Sequence, residues 1–128
     1  MSTEATRARM AFAARLLLFA ATIFMIYEAT ITHPVEVSVN HGDKLLHALA
    51  FFALAFLSDF AFPARGHVTR DLFLLMLFGV FIEVVQSFLP WRSADFLDFL
   101  ADCFGIAAYR FLMPIFHKIP LIRERWVE

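Results

Sequence analysis

Four long apolar stretches, separated by short turn-rich segments, decide most of what this chain can fold into. They run over about residues 10–31, 45–62, 72–89 and 96–116. A helix needs about 20 predominantly apolar residues to cross the hydrocarbon core of a bilayer, and each stretch approaches that length. Inside lipid every backbone N–H and C=O must find its partner within the segment, so the expected form is helical. The separators carry turn chemistry: Pro34 and Gly42 in the first, Gly66 in the second, and a very short Pro90–Asp95 connection in the third. Hydrophobic residues make up 61% of the 128, against about 45–50% in an ordinary soluble domain. A water-soluble protein of this size has too little interior to hide that much apolar surface. The expected fold is all-α: an integral membrane bundle of four transmembrane helices forming a single domain over residues 1–128, with the lipid bilayer as its first partner.

Arg7 and Arg9 ahead of the first stretch resemble the start of a signal peptide, but the apolar run is long and no small-x-small cleavage site follows it. An uncleaved first helix is the better reading. Cytoplasmic segments of membrane proteins are enriched in Lys and Arg. With the N-terminus inside, nine of the eleven basic residues (Arg7, Arg9, Arg15, Arg65, Arg70, Arg110, Lys118, Arg123 and Arg125) fall on the inner side, leaving Lys44 and Arg92 outside. The expectation is a multi-pass protein of the cell (inner) membrane with both termini cytoplasmic. Trp91 and Trp126 fit interfacial anchors at opposite surfaces. The net charge of -1 gives no footprint for nucleic acid, and the single Cys103 excludes an intrachain disulfide and a Cys-rich zinc site.

Charge inside lipid is costly and marks function by default. Here the ionisable residues gather toward one surface: Glu28, Asp43, Lys44, His47, Glu83, Arg92, Asp95, Asp98 and Asp102, with Gln86 and Ser93 beside them. At 1.5 Å rise per residue, Glu83 and Asp102 each lie about 9 Å below the outer boundary, at matching depth. Helical spacing puts Asp95, Asp98 and Asp102 on one face of the fourth helix, continued by Gly105 and Tyr109, and Gly79, Glu83 and Gln86 on one face of the third. Asp43 and His47 stack four residues apart. The glycines permit close helix approach, so the simplest arrangement turns these faces inward around a polar pocket open to the outer surface. Asp43 and Asp95 also suit plain helix N-terminal roles, and a histidine is often a packed, hydrogen-bonded residue. Phe51, Phe52 and Phe56 read as lipid-facing or core packing. Asp59 and Asp71 read as solvated acids at the inner boundary.

Asp43-Lys44-Leu45-Leu46-His47, followed by Phe51 and Leu54, resembles the D-K-x-x-H-x-x-x-F opening of VanZ-like proteins. Glu83-x-x-Gln86, Pro90-x-Arg92-Ser93, Asp98 and Gly105 resemble the second half of that signature, in family order, so that the likeness covers about residues 40–110. Asp102 departs from it, since many relatives carry Asn there. The resemblance implies a membrane location and a link to the cell envelope and to glycopeptide antibiotic resistance, more than a defined reaction.

On the expected outer side seven acids (Glu28, Glu36, Asp43, Glu83, Asp95, Asp98 and Asp102) face two bases. Protonation, pairing with Lys44 and Arg92, or a bound divalent cation would each relieve that imbalance. The leading hypothesis is an enzyme acting at the outer leaflet on a lipid-linked or cell-envelope substrate, the expected ligand being an envelope lipid or a peptidoglycan-related molecule. His47 or Glu83 serves as general acid or base, Asp98 and Asp102 orient it or hold metal, and Arg92 grips a phosphate or carboxylate. Asp43, Lys44, Gln86, Ser93 and Asp95 complete the expected binding set. The competing hypotheses are a non-catalytic protein that sequesters an envelope ligand or cationic antibiotic, and a transporter or proton relay. Transport ranks last because no internal repeat is visible and the polar residues stop in the outer half.

Overall fold

The computed structural model describes residues 3–34, 36, 38–62, 68–116 and 118–120. Over these residues the chain forms four helices: α1 (Thr3–Thr30), α2 (Gly42–Ala61), α3 (Val68–Ser87) and α4 (Phe96–Phe116). No strand occurs among them. The expected stretches are recovered, with α4 at the expected bounds and the other three starting earlier. Hydrophobicity marks only the buried length of a helix, whereas Glu4, Ala5, Arg7 and Ala8 are good helix formers that carry α1 beyond it. Three helices are long and apolar enough to cross a membrane: Glu4–Thr30, Gly42–Ala61 and Phe96–Phe116. α3 has the length but carries Arg70, Asp71 and Glu83. Arg65, Arg123 and Arg125, assigned to the inner side, and Trp126, expected as an interfacial anchor, lie outside the described residues.

α2 is the central helix. It packs on α1, α3 and α4, and most extensively on α4. The seam between α2 and α4 is tight because Gly105 removes a side chain from it. A Cβ at Gly105 would overlap the Ala48 carbonyl oxygen and lie 2.9 Å from its carbon and 3.0 Å from the Phe52 nitrogen. Phe51 (0% exposed), Leu54 and Ile106 fill the middle of the bundle. Ala55, Tyr109 and Met113 form the next layer, with Phe52, Phe56 and Phe116 packed against it. The Tyr109 ring meets Phe52 and Phe56 edge-on, at centroid distances of 5.7 and 6.0 Å. The phenylalanines of α2 are therefore core packing. The lipid-compatible surface lies elsewhere, on Phe12, Leu16, Phe19 and Ile23 of α1 and on Phe104 and Phe111 of α4, all exposed. Near the other end of the bundle, Arg15 on α1 donates from Nε to the Ala61 carbonyl at 2.8 Å, and its guanidinium lies 5.7 Å from the Phe62 ring centroid. It thereby caps one of the orphan carbonyls at the end of α2.

Asp59 and Asp71 depart from expectation. Both are buried, together with Ser58 and Tyr109, at the end of the bundle away from His47. Tyr109 donates its hydroxyl to Asp59 Oδ2 at 2.5 Å, and Arg70 Nη2 pairs with Asp71 Oδ1 at 3.0 Å. The close α2–α4 approach brings Tyr109 onto Asp59 and shuts water out. The polar residues thus do not stop in one half. Along both helices, however, Phe51, Leu54 and Ile106 lie between the two polar groups. Tyr109→Phe keeps the ring packing and removes one buried bond to a carboxylate, so unfolding in detergent should show a loss of about 1–3 kcal/mol. An unchanged stability would mean that the bond contributes nothing net.

Candidate functional site

The site grows out of the first two turns of α2. His41, just before the helix, takes a left-handed conformation with φ 57, which His tolerates better than most residues. The turn sets Asp43, Lys44 and His47 at the mouth of the bundle. Across the seam, Asp95 caps α4 by accepting the Leu97 N–H on Oδ1 at 2.9 Å. Asp98 and Asp102 follow at helical spacing and face α2.

Lys44 is a shared cation. Its Nζ lies 2.6 Å from Asp43 Oδ2, 2.8 Å from Asp95 Oδ2 and 2.9 Å from Asp98 Oδ1. One ammonium thereby neutralises carboxylates from the start of both helices and ties α2 to α4. The hydrogen bond from Lys44 holds the Asp95 carboxyl below the usual carboxylate range. A Lys44→Met change would leave three acids crowded together without their counter-ion.

One turn deeper, His47 Nδ1 lies 2.7 Å from Asp102 Oδ1, and Nε2 lies 3.7 Å from Asp98 Oδ2. Asp102 is completely buried. A buried carboxylate at one ring nitrogen fixes the orientation of the imidazole and sets which nitrogen carries the proton. Gly79 on α3 lets Asp102 sit close, since a Cβ there would be 3.0 Å from Asp102 Oδ2. Glu83 Oε2 accepts the Asp95 N–H at 2.9 Å, joining α3 to the start of α4. Gln86 is buried and donates from Nε2 to the Ala29 carbonyl of α1 at 3.2 Å. Four side-chain oxygens are buried without a hydrogen-bond partner among the described residues: Glu83 Oε1, Gln86 Oε1, Asp102 Oδ2 and Asp98 Oδ1, the last of which has the Lys44 ammonium beside it as an ion-pair partner.

A cavity of about 700 Å³ opens at this end of the bundle, a size suited to a small-molecule or headgroup ligand. His47, Asp98, Gln86, Arg92, Ser93 and Asp43 all line it, against an apolar wall that includes Phe24, Met25 and Phe51. Trp91 closes one side and donates from Nε1 to the Thr30 carbonyl at 2.8 Å. Arg92 forms no ion pair among the described residues, in contrast to the fully engaged Lys44. The cavity is therefore lined both by an available guanidinium and by an imidazole that a buried acid holds in place.

The structure brings the ten candidate site residues together at one end of the bundle, in three groups. His47, Asp98, Asp43, Gln86, Arg92 and Ser93 line the cavity. Glu83 and Asp102 stand behind His47, and Lys44 and Asp95 form the α2–α4 tie. Glu83 pairs with neither Arg92 nor Lys44; its described hydrogen bond is to backbone. Sequence reasoning missed the contributions of Trp91, Thr30 and Ala29. Two of these act through backbone carbonyls, which leave no trace in residue identity, while Trp91 read only as an anchor. It also missed the Asp59–Tyr109 pair, although Tyr109 fell on the recognised polar face of the fourth helix.

The chain is 30% identical over 107 residues to an uncharacterized protein of Schizosaccharomyces pombe, an alignment that covers 80% of this chain and 65% of the relative. The chain thus spans about 65% of the length of the curated relative it matches. No solved structure matches it. The family model described as VanZ/LLP1 matches residues 1–117, well beyond the stretch where the motifs lie. With three helices apolar enough to cross a bilayer and this match over nearly its whole length, the chain is a membrane protein and belongs to the VanZ/LLP1 family.

Proposed function

We propose that the chain acts at the outer leaflet of a cell membrane on an anionic, lipid-linked envelope substrate, whose headgroup enters the cavity while its tail stays in lipid. The observation that carries this reading is that an available Arg92 and a His47 held by a buried acid line the same cavity. Arg92 is suited to bidentate capture of a phosphate or carboxylate. His47 is the general acid or base, oriented by Asp102, with Asp98 beside its second nitrogen. Gln86 and Ser93 offer neutral hydrogen bonds to the headgroup. Asp43, Lys44 and Asp95 keep the mouth in shape.

In this reading α3 is the fourth span and the whole chain is one four-helix membrane domain. Its charges support that: Asp71 is buried and Glu83 half-buried, both turned into the protein, and Arg70 stands within the first turn of the helix. The Lys/Arg asymmetry supports cytoplasmic termini and an outward cavity.

Lipid capture tests the substrate class. Native mass spectrometry of the protein extracted from its own membranes should show an anionic lipid of defined mass on the wild type. Arg92→Gln should carry much less of it, by about 10-fold, the effect of losing one charge-assisted contact. Equal lipid on both proteins would remove Arg92 from recognition. Capture with no chemical change to the lipid on prolonged incubation would make the protein a binder rather than an enzyme.

A further inference from the structure

Behind the cavity wall, three helices converge on a ligand set. His47 of α2, Glu83 of α3 and Asp102 of α4 each offer one ligand atom, and these atoms all lie within 4.8 Å of one another. The internal hydrogen bonds leave part of this set unspent. Asp102 is completely buried, yet its Oδ2 has no partner among the described residues, and neither does the buried Glu83 Oε1. Gln86, one turn beyond Glu83 and almost fully buried, has an unpartnered Oε1 as well. Buried acceptors left without donors are uncommon and costly.

Charge gives a second reason. Lys44 is already divided among Asp43, Asp95 and Asp98. Among the described residues no Lys or Arg pairs with Glu83 or Asp102, and the positive partner within reach of Asp102 is the imidazole. Two carboxylates and an imidazole converging in a low-dielectric interior call for a compact positive charge.

We infer that His47, Glu83 and Asp102 bind a divalent transition-metal ion of the Zn²⁺ or Mn²⁺ class. One imidazole and two carboxylates match the ligand preference of these ions and suit Ca²⁺ less well, which takes six to eight oxygens. Three protein ligands leave at least one coordination position open, as in catalytic rather than structural metal sites. The inference rests on the reading that His47 marks the reactive end of the cavity. It deepens that reading by giving Asp102 and Glu83 a direct part and by changing that of His47: with a ring nitrogen on the ion, His47 would position the metal, and the ion's bound water would take over the acid–base part at the floor of the cavity.

The test measures binding and not activity. Full-length protein in detergent or nanodiscs is stripped with chelator and dialysed against Zn²⁺ or Mn²⁺. Bound metal is counted by elemental analysis, and affinity is taken from calorimetry. A single ion per chain is expected, raising the unfolding temperature. Glu83→Gln should weaken binding by about 100-fold or more, beyond the 10–100-fold that loss of an outer-sphere partner costs. Asp102→Asn should do the same, and if that buried substitution prevents folding, Glu83→Gln decides alone. Absence of saturable uptake, or equal uptake in wild type and Glu83→Gln, overturns the site. So does uptake that survives Glu83→Gln and vanishes in Asp43→Asn, which would put the ion among the acids at the mouth. Failure here leaves lipid capture through Arg92 standing, and failure of lipid capture leaves the metal result standing.

Discussion

Gly105→Ala should come close to preventing assembly of the bundle. The added methyl would overlap the Ala48 carbonyl oxygen, with the Ala48 carbon at 2.9 Å and the Phe52 nitrogen at 3.0 Å. All three atoms are backbone, so no rotamer change relieves the clash. α2 and α4 must separate, and they form the largest helix–helix contact in the protein. Alanine gains up to about 1 kcal/mol in intrinsic helix preference over glycine. Overpacking against atoms that cannot move aside costs about 3 kcal/mol or more, so the clash wins. Thermal unfolding in detergent should fall by about 10 °C at the least, taking the scaling for domains of this size. Separation would also pull His47 from Asp102, because His47 adjoins Ala48 and Asp102 lies one turn before Gly105. Gly79→Ala is the informative contrast. Its Cβ would meet Asp102 Oδ2 at 3.0 Å and Phe99 at 3.5 Å, both side-chain atoms that can shift. It should cost far less stability while displacing Asp102. Equal melting of the two variants would mean that the α2–α4 approach is looser than described.

His47→Gln should abolish function with little effect on folding. Glutamine retains a donor for Asp102 and much of the volume, and it cannot titrate. General acid–base catalysis typically contributes 10²–10⁴-fold. Conversion of the captured lipid should therefore fall by about 100-fold or more, and the variant should fail to complement cells lacking the protein under envelope stress, glycopeptide challenge included. Stability should change little, since His47 is partly exposed to the cavity and the cost of changing one residue at such a site is small beside a core cavity. Two results would count against this role: full complementation by a stable variant, or a stability loss as large as that of Gly105→Ala, which would make His47 a strut.

The sequence already held the skeleton of this picture. Apolar length gave the helices, because hydrophobic stretches of this extent have few alternatives. Helical spacing sets the faces, so that Asp98 and Asp102 on α4, Glu83 and Gln86 on α3, and Asp43 and His47 on α2 fall together from their positions in the sequence. Gly79 and Gly105 were legible as points of close approach. The division of labour within the cluster was not legible. Nothing in residue identity says that Lys44 satisfies three acids at once while Arg92 satisfies none, because that depends on which side chains converge at the α2–α4 seam. The burial of Asp59 and Asp71 was hidden for a related reason. An acid near the end of an apolar run looks solvated until the partner helix delivers a Tyr109 hydroxyl to it. Backbone partners such as the Ala29, Thr30 and Ala61 carbonyls are invisible to any reading of side chains.

The central claim is that the polar cavity opens on the outer face of the membrane. Its most direct test is thiol labelling of intact cells in a Cys103→Ala background. Ser93 lines the cavity and is exposed, and Lys118 is exposed just past the opposite end of α4. With a single cysteine at Ser93, a membrane-impermeant maleimide should react on whole cells; with a single cysteine at Lys118, it should react only after permeabilisation. Labelling of the Lys118 position but not the Ser93 position on intact cells would contradict the account, since the cavity, its Arg92 and its His47 would then face the cytoplasm.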